Sequence, residues 1–195
     1  MLAEYSAAVQ PLPYVFYHFS EWPITSAPVH SGAPRTRQAR EALRLLGVNS
    51  MQSVPVDHCP DAHALVLQAA TLKLVYSGDC RPSRRLVELG RGATIAVHEA
   101  TFATEDAAHA TRKRHSTLAE AAAAISAMSA GLGVLTHFSQ KLPPVPFGAM
   151  PLPDRVCCAF DGMVVTAENF ERLPAVGAFA VSAIGQADAA DAAAD

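Results

Sequence analysis

The chain has 195 residues, half of them apolar, and is long enough for one α/β domain with a hydrophobic core. Its formal net charge of -3 argues against a generally basic nucleic-acid-binding surface, although nucleic acids respond to local rather than net charge. No apolar run approaches the roughly 20 residues that span a bilayer, so we expect an intracellular protein rather than a secreted or membrane protein.

The N-terminal part of the chain contains one clear element. Residues 1–34 include several Pro, Tyr, Phe and His residues without sustained periodicity, so we predict an irregular segment there. From Arg35 to Leu46, apolar residues recur at helical spacing, and Gly47 follows them. This pattern predicts a helix that stops at the glycine.

The middle of the chain alternates between strands and helices. A short helix is predicted over Pro82–Leu89, and a longer one begins at Ser116 or Thr117, with Glu120 in capping-box position, and ends at Gly131. Short apolar runs predict three strands, which are Leu72–Ser77, Thr94–Glu99 and Gly133–Phe138. The alternation predicts a parallel α/β sheet in which these three strands are neighbours.

The C-terminal part is predicted to contain a hairpin and then a disordered tail. Val156–Phe160 and Met163–Thr166 flank the dipeptide Asp161-Gly162, which is a strong signal for a two-residue β-turn. Residues 173–195 are rich in Ala and Asp and are predicted to be disordered. The fold is therefore expected to end near Arg172.

Polar residues fall at or near the ends of the predicted strands and at a helix start. The carboxyl ends of strands in open α/β sheets face the ligand crevice, and His and Asp are ligands that suit zinc. A lone histidine at a strand end is more often structural, however, and Asp79 could instead cap the helix that Pro82 begins. Spacing alone leaves these alternatives open for the six candidates, which are His58, Asp79, His98, Glu99, His115 and His137.

Two basic clusters stand out against the net negative charge. They are Arg81, Arg84, Arg85 and Arg91, and Arg112, Lys113 and Arg114. The simpler interpretation of each cluster is a solvated helix face. The functional interpretation is contact with a phosphate backbone, for which Arg81, Arg84 and Arg114 are the candidates.

The short sequence words around these residues are more specific than their spacing. VDHC, YSGDCRP, HEATF, KRHST, THFSQ and AFDGM occur between residues 55 and 165 in the order and approximate spacing of tRNase Z. HEAT together with HST separates tRNase Z from other metallo-β-lactamase proteins. The chain therefore resembles the C-terminal part of a long-form tRNase Z, a zinc-dependent endoribonuclease.

The resemblance implies a fold class and a composition of the site. Residues 35–172 are expected to form the C-terminal half of a metallo-β-lactamase αββα sandwich. A complete tRNase Z carries an HxHxDH motif upstream, and no such motif occurs in this sequence. The resemblance therefore implies that the N-terminal part of the same enzyme completes the fold, and that the isolated chain binds zinc weakly and is inactive.

The resemblance also implies roles for matching residues. His58 corresponds to a histidine that completes the ligand set of the first zinc ion, Asp79 to a carboxylate that bridges both ions, and His137 to a ligand of the second. His115 of HST resembles the family's proton donor to the leaving 3′-oxygen, and Glu99 of HEAT resembles the residue that orients it. The remaining candidate, His98, is expected to contact the residues that hold the metal rather than the metal itself, or to be structural.

Three functions remain open from the sequence. The first is cleavage of precursor tRNA after its discriminator base, in the nucleus, the mitochondrion or both, as the resemblance implies. The second is a non-catalytic paralogue that binds RNA or protein, although HEAT, HST and the metal residues persist here. The third is another metallo-β-lactamase hydrolase, such as an arylsulfatase or phosphodiesterase relative, against which the HST segment argues. An in-frame HxHxDH motif upstream of Met1 would decide between the first two.

Overall fold

A computed structural model of the protein describes residues 24–25, 34–140 and 152–175. The predicted irregular segment 1–34 and the predicted disordered tail 173–195 lie largely outside these described residues. Within the described part of the chain, no helix is long and apolar enough to cross a membrane.

One sheet organises the described residues, and its seven strands lie side by side in sequence order. The first four strands pair antiparallel, and the fourth to the seventh pair parallel. The strands are β1 (Ile24–Thr25), β2 (Val48–Pro55), β3 (His63–Ala69), β4 (Lys73–Tyr76), β5 (Ile95–Glu99), β6 (Leu132–Thr136) and β7 (Val156–Cys158). The three strands predicted from apolar runs are β4, β5 and β6, and their predicted adjacency is confirmed.

The helices lie between these strands in the chain. They are α1 (Pro34–Leu45), α2 (Arg84–Gly90), α3 (Ala107–Lys113), which follows a 3-10 turn at Thr104–Asp106, and α4 (Leu118–Met128). The predicted helices correspond to α1, α2 and α4. The predicted capping box is confirmed, because the Thr117 side chain accepts from the Glu120 backbone and the Glu120 side chain accepts from the Thr117 backbone.

The main core lies where α2 and α4 pack on the parallel half of the sheet. It contains Leu86 of α2 and Ile125 of α4, together with Val75 and Leu135 from the strands. An added Cβ at Gly133 of β6 would lie 2.4 Å from Ile125 Cγ2, so only glycine lets the helix approach the strand this closely. The tight packing fixes the carboxyl ends of β4, β5 and β6 relative to one another.

The predicted hairpin at Asp161-Gly162 is wrong. Strand β7 ends at Cys158 and pairs parallel to β6, and residues 163–166 form no strand. Met163 instead packs, with Phe170 and Leu173, on the apolar cluster that β6 and β7 form. The turn itself forms, because the backbone N–H of Met163 donates to the carbonyl of Phe160 at 3.0 Å, but packing against the sheet keeps the flanking residues from pairing as a hairpin.

Candidate active site

Five predicted site residues converge at the carboxyl ends of the parallel strands. Asp79 follows β4, Glu99 ends β5, and His137 follows β6 in the left-handed conformation, with φ 60°. His58 comes from the loop between β2 and β3, and His115 from the segment between α3 and α4. Parallel strands point their carboxyl ends to the same edge, which explains why residues so far apart in sequence meet.

Asp79 lies between two histidines. Its Oδ2 is 3.9 Å from His58 Nε2 and 3.6 Å from His137 Nε2. Ligand atoms around a tetrahedral zinc ion with bonds of about 2.1 Å lie about 3.4 Å apart, so both separations are close to those of a shared metal centre. Imidazole nitrogen and carboxylate oxygen are also the donor types that zinc takes, so each of the two His–Asp79 pairs fits zinc.

Asp79 does not cap α2, which was the alternative left open by the sequence. The N-cap of α2 is Ser83, whose hydroxyl accepts from the backbone N–H of Leu86. The loop that carries Asp79 is held elsewhere, because the backbone N–H of Cys80 donates to Glu99 Oε1 and that of Arg81 donates to the carbonyl of Asp57. These two bonds tie the Asp79 loop to the other loops of the site.

Arg114 holds His58 at two points. The carbonyl of Arg114 lies 3.0 Å from His58 Nδ1, and because a carbonyl can only accept, Nδ1 carries the proton. The other ring nitrogen of His58, Nε2, faces Asp79. In return, Nη1 of Arg114 donates to the His58 carbonyl at 2.9 Å, and Nε lies 3.7 Å from Asp57. This reciprocal pair fixes both the position and the tautomer of His58.

His115 and Glu99 form a hydrogen-bonded pair. Nδ1 of His115 is 2.8 Å from Oε1 of Glu99, whose side chain is only 2% exposed. A carboxylate only accepts, so His115 donates from Nδ1 and has its Nε2 available for chemistry. The ring of His115 lies beside those of His58 and His137, with centroids 4.6 and 5.5 Å away. Its ligand-type atoms also fall within two groups that could hold a metal, one with His58 and Asp79 and one with Glu99 and His137.

His98 lies outside these two groups. Its ring is buried, and Nδ1 donates to the carbonyl of Glu99 at 2.7 Å. Burial lowers the pKa of His98, which favours the neutral ring. Among the described residues, Nε2 of His98 has no hydrogen-bond partner. These contacts place His98 outside the metal groups, where its ring holds the backbone carbonyl of Glu99.

The three arginines predicted to contact phosphate have different surroundings. Arg81 forms a bidentate pair with Glu120 of α4 and donates to the carbonyl of His115. Arg114 is engaged with His58 and Asp57, as described above. Arg84 is 93% exposed and pairs with Glu88 one turn along α2. Phosphate contact by Arg84 stays a prediction, and the contacts of Arg81 and Arg114 support positioning roles.

Thr101 is a site residue that the sequence reasoning missed. Its hydroxyl contacts Glu99 Oε2 at 2.8 Å, His137 Nδ1 at 2.8 Å and His115 Nδ1 at 3.2 Å. Thr101 is the last residue of the HEAT word, which is the one signal that could have identified it.

Residues 13–138 match the family model described as "Beta-lactamase superfamily domain", which covers well over half of the chain. The chain therefore belongs to the beta-lactamase superfamily, and the predicted fold class and superfamily are confirmed.

Within this superfamily, the chain is similar to proteins named tRNase Z, RNase Z and zinc phosphodiesterase. It is 38% identical to "tRNase Z TRZ3, mitochondrial" of Arabidopsis thaliana over 72% of this chain and 17% of the relative. It is 35% identical to "Zinc phosphodiesterase ELAC protein 2" of Homo sapiens over 68% of this chain and 16% of the relative. The crystal structure of a long form RNase Z from yeast matches with a TM-score of 0.61 and 29% identity, over 67% of this chain and 19% of that chain. The chain thus spans about a sixth of the curated relatives it matches.

Proposed function

We propose that the chain supplies part of the active site of a tRNA 3′-end processing endoribonuclease. The reaction is hydrolysis of the phosphodiester after the discriminator base of precursor tRNA. The observation that carries the proposal is the convergence of a zinc-type ligand set, His58, Asp79 and His137, with the His115–Glu99 pair. The names of the Arabidopsis and human relatives, tRNase Z and zinc phosphodiesterase, support the same reaction class.

The proposed metal ligands are His58, Asp79 and His137, and the proposed cofactor is zinc. When bound, zinc polarises a phosphoryl oxygen and makes nearby water more acidic, which is the chemistry that phosphodiester hydrolysis needs. His58 and His137 would each hold zinc through Nε2, and the carboxylate of Asp79 would be the ligand that the two histidine sites share. Arg114 and Thr101 hold the opposite ring nitrogens of the two histidines.

The proposed proton donor is His115. The 3′-oxygen that leaves the phosphorus needs a proton, and Nε2 of His115 is the ring nitrogen that its bond to Glu99 leaves available. Glu99 fixes the orientation of the ring, and Arg81 holds the backbone of His115 to the first turn of α4. His98 supports Glu99 through the backbone.

Two partners and a location complete the proposal. Precursor tRNA is the substrate, and the remainder of the same enzyme, carrying HxHxDH, completes the fold. Exposed apolar side chains support such a partner, because Tyr76, Phe160 and Val164 are 48%, 56% and 65% exposed. The name of the Arabidopsis relative supports a mitochondrial location, and a nuclear location stays a prediction.

Cleavage of precursor tRNA tests the function. The chain is assayed alone and fused behind a segment that carries HxHxDH, because the described residues bring together only part of the family's ligand set. We expect the fusion protein to bind zinc and to release a tRNA with a 3′-hydroxyl after the discriminator base, and we expect the chain alone to do neither well. A fusion protein that binds zinc and tRNA without cleaving it would favour a non-catalytic binding module.

Glu99→Gln should slow cleavage by the fusion protein less than loss of the proton donor does. The amide keeps one acceptor for His115 but removes the negative charge. In the parent, both carboxylate oxygens accept: Oε1 from Cys80 N and His115 Nδ1, and Oε2 from the backbone and hydroxyl of Thr101. The NH₂ group of the glutamine, which replaces one of these oxygens, must therefore face a donor. We expect a rate loss of about 10- to 100-fold, short of the full contribution of general acid catalysis.

Single-turnover rates, zinc content and thermal unfolding are measured together for Glu99→Gln. Glu105→Gln, at an exposed site in the 3-10 turn, is the matched control and should leave all three unchanged. Unchanged cleavage by Glu99→Gln would show that Glu99 does not orient the donor.

A further inference from the structure

Thr101 lies at the centre of the hydrogen-bond network of the site. The residue is 8% exposed, and its backbone N–H donates to Glu99 Oε2 at 3.0 Å. The hydroxyl contacts three groups, which are Glu99 Oε2, His137 Nδ1 and His115 Nδ1. It therefore touches both the proposed proton donor pair and a proposed metal ligand.

Counting protons assigns a direction to each bond. A hydroxyl has one proton to donate and two lone pairs to accept. The carboxylate of Glu99 can only accept, so Thr101 donates its single proton to Oε2 at 2.8 Å. Toward His137 the hydroxyl can then only accept, and the 2.8 Å contact requires a proton on Nδ1 of His137. The same count applies to His115. Its Nδ1 lies 2.8 Å from Glu99 Oε1 and 3.2 Å from the Thr101 hydroxyl, so Glu99 is its main acceptor.

The consequence for His137 concerns its other nitrogen. A neutral imidazole with a proton on Nδ1 has a free lone pair on Nε2. This Nε2 lies 3.6 Å from Asp79 Oδ2, the other group that would hold the metal. The side chain of His137 is 49% exposed, so burial alone does not select one tautomer. The hydroxyl of Thr101 supplies the selection.

We infer that Thr101 is a positioning residue that selects the Nδ1–H tautomer of His137 through its hydroxyl and so leaves Nε2 free for zinc. Because Glu99 takes the hydroxyl proton, the carboxylate that holds His115 also sets the tautomer of His137. The part of the inference that concerns zinc rests on the proposed function. The tautomer itself is a property of the metal-free chain.

The first experiment measures ring tautomers in the metal-free 195-residue chain by ¹⁵N NMR of the histidine side chains. The spectra are recorded at pH about 8, above the ordinary histidine pKa of about 6.5. We expect Nδ1 of His137 to be the protonated nitrogen in the parent chain and in Thr101→Ser, which keeps the hydroxyl. In Thr101→Val, which has the same shape without the hydroxyl, we expect the population to shift toward Nε2–H.

The second experiment measures zinc affinity in the fusion protein. Loss of a hydrogen bond behind a metal ligand typically lowers affinity by about 10- to 100-fold, which is the loss we expect for Thr101→Val. Thr101→Ser should stay within a few-fold of the parent. Thr111→Val is the matched control, because Thr111 is exposed on α3 and its hydroxyl donates only to a carbonyl of its own helix.

Several results would overturn the inference. A parent chain with His137 in the Nε2–H form contradicts it directly, and this measurement needs no variant. An unchanged tautomer in folded Thr101→Val, or a Thr101→Ser chain that behaves like Thr101→Val, contradicts it as well. If Thr101→Val does not fold, the parent and Thr101→Ser spectra decide. Failure of the fusion protein to cleave tRNA, with the tautomers as expected, would instead overturn the proposed function.

Discussion

Asp79→Ala in the fusion protein should remove zinc and cleavage together. Asp79 Oδ2 lies within 4 Å of the Nε2 atoms of both His58 and His137, so the substitution removes a group shared by the whole ligand set. Loss of a residue that merely supports a ligand costs about 10- to 100-fold in metal affinity. Loss of the shared carboxylate should therefore exceed about 100-fold, with cleavage falling in parallel.

Metal analysis after gel filtration, paired with single-turnover rates, measures this effect. Asp154→Ala, an exposed aspartate near the start of β7, is the matched control and should keep both zinc and rate. An Asp79→Ala protein that keeps its full zinc content would refute the bridging role. The remaining interpretation, a helix cap, is already taken by Ser83.

His115→Ala, unlike Asp79→Ala, should slow cleavage while leaving the zinc content of the fusion protein unchanged. General acid catalysis is typically worth about 10²- to 10⁴-fold, and we expect a loss in that range. The fold around residue 115 should persist, because Arg81 binds the backbone carbonyl of His115, which alanine retains.

The zinc content of His115→Ala is decisive because the geometry also places His115 in both groups that could hold a metal. Loss of zinc would make His115 a ligand rather than a proton donor. An unchanged rate would remove it from the reaction altogether. His109→Ala provides the comparison, since the ring of His109 stacks on Phe102 at 4.8 Å without joining either group.

The parts of the fold that could be predicted are those in which the local signal agrees with the packing. Strands β4, β5 and β6 are short apolar runs of the central sheet, and α4 begins at a capping box that the sequence spells out. Strand β2 (VNSMQSVP) was missed because its polar residues follow no strict alternation, and only two of its eight positions are fully buried. Its long antiparallel pairing with β3 depends on a partner strand that the local sequence of β2 cannot identify.

The candidate site divides in the same way. The strand-end rule and the motif words identified the residues that converge, because both depend on position along the chain. The partners of these residues could not be predicted, since they join distant segments. Arg114 contacts His58 across 56 residues, and Arg81 contacts His115 across 34. A guanidinium with an acceptor inside the protein and one that contacts a phosphate look the same in a sequence.

Arg114 and His115 are consecutive residues, and their shared backbone connects the proposed metal ligand His58 with the proposed proton donor His115. The carbonyl of Arg114 holds the ring of His58, and the ring of His115 is held by Glu99. A backbone displacement at this dipeptide therefore moves a proposed metal ligand and the proposed proton donor in step. A misplacement of about 1 Å can cost about 100-fold in rate. An RNA strand that displaced the α3–α4 junction would therefore change the positions of His58 and His115 together.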